Sequence, residues 1–95
     1  MKISIIIPTY NEEESIKPLI NQLIDLQKKI PEKILEIIFV NDGSSDNTKK
    51  IINTEIANNA NMEIISLSRN FGQTAAISAG IDNATGDILV TMDAD

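Results

Sequence analysis

Neither cysteine nor histidine occurs among the 95 residues of the chain. The first absence excludes a disulfide framework and a thiolate zinc centre. The second removes the commonest transition-metal ligand and the commonest general base. Any metal must therefore be held by oxygen, and of the familiar nucleophilic arrangements only a serine–lysine pair stays open. Aromatics are scarce as well, one tyrosine, two phenylalanines and no tryptophan, so a core has to be aliphatic. Cations are outnumbered, eight lysines and arginines against fourteen acidic residues for a formal charge of -6, and they never cluster beyond the pairs Lys28-Lys29 and Lys49-Lys50. Nucleic acid is disfavoured as a partner on that ground. A phosphorylated substrate would need a metal ion, helix ends or a few placed cations to be attracted. No apolar run approaches the roughly 18 residues of a membrane span. Met1-Lys2 leads straight into a β-branched stretch without the length or cleavage site of a secretory signal, which points to a soluble, cytoplasmic unit. Neither a glycine-rich dinucleotide fingerprint nor a Walker-type phosphate loop follows the first apolar run, which argues against an NAD or ATP site of those kinds.

What is present is an aliphatic pattern. Hydrophobic residues make up 42% of the chain, enough for one small core, and the length allows one compact unit. Four short apolar runs alternate with stretches of helical period and predict a βαβαβαβ order, an α/β fold with a parallel sheet. Ile3 to Ile7 read as a central strand, with Ser4 the only polar member and Pro8 ending it. Ile16, Leu19, Ile20, Leu23, Ile24 and Ile30 recur mainly at three and four spacing, the stripe of a helix closed by Pro31. Ser15 is the preferred N-cap because it leaves Pro18 in the first turn; Asn11 with Glu14 is the alternative capping box. Ile34 to Val40 form the second strand, interrupted by Glu36, and a helix follows to Ala60. Met62 to Leu67 form the third strand. A helix starting around Phe71 carries Ala75, Ala76, Ala79 and Gly80, small enough to lie close on the sheet, and ends at Asn83-Ala84-Thr85-Gly86. Asp87 to Met92 form the fourth strand. Right-handed crossovers would gather the loops after the strands at one sheet edge, where open α/β folds bind ligands.

Four polar segments follow the strands. In Pro8-Thr9-Tyr10-Asn11-Glu12, Tyr10 offers a flat wall for a base and Glu12 an acceptor for base or ribose donors, although a capped helix start explains the same residues. In Asn41-Asp42-Gly43-Ser44-Ser45-Asp46, Asp42 could accept a bond from the ring N–H of a pyrimidine or guanine; an Asx turn with a serine cap is the alternative. In Ser68-Arg69-Asn70-Phe71-Gly72-Gln73, Arg69 is either a solvated charge or a phosphate contact beside a helix N-terminus. Asp93-Ala94-Asp95, at the end of ILVTM, places two carboxylates beside the sheet, where Asp93 and Asp95 would hold Mg2+ or Mn2+ bridging to a diphosphate; two solvated charges are the competing account.

The stretches IIIPTYNEEESI, IIFVNDGSSDNT, LSRNFGQTAAISAGIDNATGD and ILVTMDAD, in this order, resemble glycosyltransferase family 2, and most of all its branch that loads sugars onto polyprenyl phosphates. The likeness covers nearly the whole chain. It implies the Rossmann-like half of a GT-A domain, three layers with sheet order 3-2-1-4 and helices on both faces. Residues 1–95 would be the amino-terminal nucleotide-sugar-binding part, stopping just after the Asp-x-Asp motif. It also implies that Pro8, Tyr10, Glu12, Val40 and Asp42 line the base and ribose, and that Asp93 and Asp95 hold the diphosphate through a divalent ion. The implied reaction is an inverting, in-line transfer from a UDP- or GDP-sugar to an acceptor, in this branch a lipid phosphate, by a parent protein associated with the cytoplasmic face of a membrane. These 95 residues alone are expected not to turn over. Ile88 to Met92, at a sheet edge, are expected to promote self-association.

A non-catalytic nucleotide-binding or interaction module is the reading from a different class. A sugar-nucleotide-forming nucleotidyltransferase would carry a glycine-rich basic loop where this chain has Tyr10-Asn11-Glu12-Glu13-Glu14. A phosphoacceptor receiver domain would need carboxylates right after the first strand and a lysine near a fifth, where this sequence predicts four strands.

Overall fold

The computed structural model describes residues 1–94. The elements run β1 (Lys2–Thr9), α1 (Ile16–Lys29), β2 (Ile34–Asn41), α2 (Thr48–Ile56), β3 (Met62–Ser66), α3 (Gln73–Asn83) and β4 (Ile88–Thr91). The sheet has the expected order β3-β2-β1-β4 and is parallel throughout, with Ile5 opposite Ile37 and Val90, and Phe39 opposite Ile64. All four strands therefore end at one edge.

Strand alternation divides the core between two faces. Ile5, Ile7, Leu35, Ile37 and Phe39 meet Ile16, Ile20 and Leu23 of α1 and Ile52 of α2. Ile6, Ile38 and Val40 face the other way, under Ala76 of α3. Burial on both faces explains why β1 and β2 read as almost unbroken apolar runs. On the second face a Cβ at Gly80 would run into the Ile6 side chain, so the small residues of α3 let the helix backbone lie close to the sheet.

Most boundaries shift by a residue or two from expectation, and two of the shifts have a local reason. β1 continues through Pro8 to Thr9. The Ile6 carbonyl accepts from Met92 N–H on the β4 side, and Pro8, two residues on, faces the same side beyond the end of β4 at Thr91. No ladder bond is lost there, so the proline is tolerated. α2 ends at Ile56 rather than Ala60 because asparagines compete for its last carbonyls: Asn58 N–H and the Asn59 side-chain amide both bond the Glu55 carbonyl, at 3.1 and 2.8 Å. Ser15 does occupy the N-cap of α1, but its hydroxyl bonds the carbonyl and carboxylate of Glu12 instead of a helix amide.

Glu36, the charge that interrupts β2, secures β4. It pairs in register with Ser4 and accepts from Ser4 Oγ at 2.7 Å, Thr85 N–H at 2.9 Å and Thr85 Oγ1 at 3.0 Å, with Lys2 Nζ 3.4 Å away. Gly86 N–H in turn donates to Ser4 Oγ at 2.8 Å. Burial alone would raise the Glu36 carboxyl. The Thr85 N–H, the Ser4 and Thr85 hydroxyls and Lys2 together outweigh it and bring the pKa from 4.5 down to about 2. This cluster clamps the α3–β4 turn at the amino-terminal edge of the sheet, away from the strand exits. β4 itself stays open to solvent, with Ile88, Leu89 and Val90 at 42%, 45% and 38% exposure.

Candidate functional site

The site starts from the lacing of the first two strand exits. Asn11 adopts a left-handed conformation with φ of 52°, which asparagine tolerates better than most side chains. Its Oδ1 then accepts from Ser45 N–H at 2.8 Å and Asp46 N–H at 3.3 Å, while its own N–H donates to Ser44 Oγ at 3.0 Å. Glu12 N–H donates to Thr48 Oγ1 at 2.8 Å. Asp46 accepts from the Thr48 N–H and hydroxyl at 2.9 and 2.6 Å, and from Glu13 N–H at 3.3 Å. Burial would raise the Asp46 carboxyl, but these donors hold it below the usual aspartate range. The Asx turn considered for this segment is present at its end, where Asp46 Oδ1 accepts the N–H of Thr48 two residues on, while Asn41 Oδ1 accepts the N–H of Ser44, three residues on, at 3.1 Å.

The second and third exits meet at Asp42, a residue only 4% exposed. Its N–H donates to the Thr9 carbonyl at 2.8 Å. Its carboxylate accepts from Phe71 N–H at 2.8 Å, Gly72 N–H at 3.0 Å and the Asn70 side-chain amide at 3.3 Å. Gly43, with φ of 75°, permits this approach: a Cβ there would collide with the backbone of Arg69 and Asn70.

These exits enclose a cleft of about 290 Å³. Pro8, Tyr10 and Glu12, with Thr9 beside them, form the wall from the β1 exit; Asn70, Gly72 and Gln73 form a second wall from the β3 exit; Asp42 links the two through Thr9 and through Phe71 and Gly72, and Asp93 and Ala94 come in from the end of β4. Tyr10 stands at the rim, 47% exposed. α3 starts on the second wall, at Gln73, which turns the positive end of its dipole toward the cleft. Glu12, Asp42 and Asp93 supply the carboxylates. No group of three or more acidic side chains that could cage a metal occurs among the described residues. Magnesium, however, is usually held by one or two carboxylates plus the oxygens of a bound phosphate, and Asp93 fits that donor set.

Of the residues singled out in the sequence, Pro8, Tyr10, Glu12, Asp42 and Asp93 share the cleft. Val40 does not open onto it: it is fully buried in the core beneath α3. Arg69 is not among its lining residues either; the guanidinium stacks on the ring of Phe71, 4.7 Å from its centre. Asp95 lies outside the described residues. Thr9, Asn70, Gly72, Gln73 and Ala94 are lining residues that the sequence reading passed over. Asn70, Gly72 and Gln73 belong to the segment Ser68–Gln73, whose one charged side chain is Arg69. Their place depends on the close approach at Gly43, a contact between distant segments.

A parallel sheet of order 3-2-1-4 with an acidic cleft at the carboxyl ends of its strands defines an open α/β unit of the Rossmann-like kind, with the cleft at the sheet edge where such folds bind their ligands. The chain belongs to glycosyl transferase family 2, whose sequence profile matches residues 4–95. Among its relatives is an undecaprenyl-phosphate 4-deoxy-4-formamido-L-arabinose transferase of Proteus mirabilis (strain HI4320), 46% identical over 96 residues, an alignment covering 99% of this chain and 29% of the relative. Another is a bactoprenol glucosyl transferase of Shigella phage SfV, 40% identical over 95 residues, covering 100% of this chain and 31% of the relative. The chain thus spans less than a third of the length of these proteins. Among solved structures, S. aureus TarS 1-349 in complex with UDP superposes with a TM-score of 0.83 at 32% identity, over 100% of this chain and 28% of that one. The mannosyltransferase PcManGT of Pyrobaculum calidifontis, in complex with GDP-Man and Mn2+, superposes at 0.84 with 24% identity over 98% of this chain and 27% of its own, a likeness of fold. No helix among the described residues is long and apolar enough to cross a membrane.

Proposed function

We propose that residues 1–95 form the donor-binding, amino-terminal part of an inverting glycosyltransferase that transfers a sugar from a UDP- or GDP-sugar to a polyprenyl phosphate. The observation that carries this reading is the convergence of Pro8, Tyr10, Glu12, Asp42 and Asp93, drawn from separate strand exits, on one cleft. In it Pro8 and Tyr10 wall the base, Glu12 accepts from base or ribose, and Asp93 with Asp95 holds the diphosphate through Mg2+ or Mn2+. That ion offsets the repulsion between carboxylates and diphosphate and stabilises the leaving group. The UDP complex of S. aureus TarS supports the donor class. The names of the relatives from Proteus mirabilis and phage SfV support the acceptor. A lipid phosphate is already ionised at neutral pH, so its attack calls for less help from a general base than a sugar hydroxyl would.

In this reading the whole protein works at the cytoplasmic face of a membrane, while these 95 residues bind donor without turning it over. They also self-associate through the open side of β4. Calorimetric titration of UDP and GDP in the presence of MnCl2 tests the donor site. Saturable binding that disappears with EDTA and weakens in Asp93→Asn is expected. Binding indifferent to both metal and substitution, or none at all, would leave a purely structural module.

A further inference from the structure

Among the carboxylates lining the cleft, Asp42 alone is buried. A buried carboxylate must be matched by donors, and those of Asp42 all come from one segment. Phe71 N–H reaches Oδ1, while Gly72 N–H and the Asn70 amide reach Oδ2. The Asn70 amide also bonds the Asp42 carbonyl, at 3.2 Å. On its other side Asp42 is tied through its N–H to Thr9, on the Tyr10 wall. α3 has no capping side chain of its own: its N-cap is Gly72. A carboxylate delivered from the end of β2 is therefore bonded to the two amides just before α3, beside the positive end of its dipole.

We propose that Asp42 is the positioning residue of the cleft. Its carboxylate holds residues 70–72, and with them the start of α3, against the exit of β1, and so fixes the spacing between the Tyr10 wall and the Asn70–Gln73 wall. Phe71 N–H on Oδ1 and the two donors on Oδ2 leave the carboxylate one acceptor position that faces no protein donor, so the positioning role stands beside any contact that Asp42 makes with a base. The consequence for nucleotides rests on the donor-site reading above; the positioning role itself is measurable without any ligand.

Amide hydrogen exchange on the nucleotide-free chain provides the test. In Asp42→Ala the amides of Phe71 and Gly72 are expected to exchange about tenfold faster or more, the loss of a charge-assisted bond, while core amides such as those of Phe39 and Ile52 keep their protection. Asp42→Asn, which keeps one acceptor oxygen, should restore part of that protection; it carries the decision if the alanine variant does not fold. With nucleotide present, Asp42→Asn should weaken ADP, whose base offers a carboxylate no ring N–H, as well as UDP and GDP. Wild-type exchange at both amides in the variants would overturn the proposal. So would an affinity loss confined to UDP and GDP with both amides still protected, the signature of direct base reading. If the wild-type chain binds no nucleotide, the donor-site reading falls, and the exchange rates still decide the role of Asp42.

Discussion

Gly43 packs its α-carbon against the backbone of Asn70, with no room between them for a side chain. This contact, made where Gly43 adopts a φ of 75°, brings the β2 exit against the β3 exit and lets Asp42 reach Phe71 and Gly72. Gly43→Ala would meet both a strained backbone and a collision. The expected cost is roughly 1–3 kcal/mol for the left-handed conformation alone, with more from the clash. It should be seen as a lower urea midpoint together with lost amide protection at Phe71 and Gly72. A midpoint equal to that of the wild type would mean that the two loops separate freely.

Glu36 makes stability depend on acid. Its pKa of about 2 in the folded chain lies below the ordinary 4.5. Its contribution is therefore fully present above about 4.5 and is lost as the pH falls through about 2. Thermal melts across that window should show a falling melting temperature in the wild type. In Glu36→Gln the start is lower and the slope shallower, because the group that takes up the proton has been removed. Parallel curves for the two chains would show that Thr85, Ser4 and Lys2 do not favour the charged form.

The open side of β4 predicts association. Ile88, Leu89 and Val90 are all more than a third exposed on the outermost strand, an apolar edge of the kind that pairs with other chains. Light scattering should give a mass that rises with concentration, and Leu89→Lys should return it toward the monomer. A monomer at high concentration in the unmodified chain would contradict this.

Most of the architecture is legible in the sequence because burial on both sheet faces leaves an unambiguous mark. Ile5 to Ile7 and Ile37 to Val40 are buried throughout, and the alternation with helical stripes leaves little freedom in the order of elements. The boundaries are less legible because they turn on single hydrogen bonds. Pro8 stays in β1 since its missing donor faces beyond the end of β4, and α2 stops early where Asn58 and Asn59 take its carbonyls. The site divides in the same way. Tyr10, Glu12, Asp42 and Asp93 follow directly after strands, so parallel topology alone delivers them to one edge. Asn70 and Gly72 reach the cleft through an interloop contact that no local pattern encodes. The destinations of Val40 and Arg69, into the core and onto Phe71, are set by strand register and by a neighbouring ring.

In the proposed function the strand exits form one metal-assisted donor cleft. Its most direct test is paramagnetic broadening of the amide spectrum by Mn2+ added with UDP. Resonances of Tyr10, Glu12, Gly72 and Asp93 should broaden together, and only when nucleotide and metal are both present. Broadening centred instead on Glu13, Glu14 and Asp46, or the same pattern with Mn2+ alone, would contradict the account.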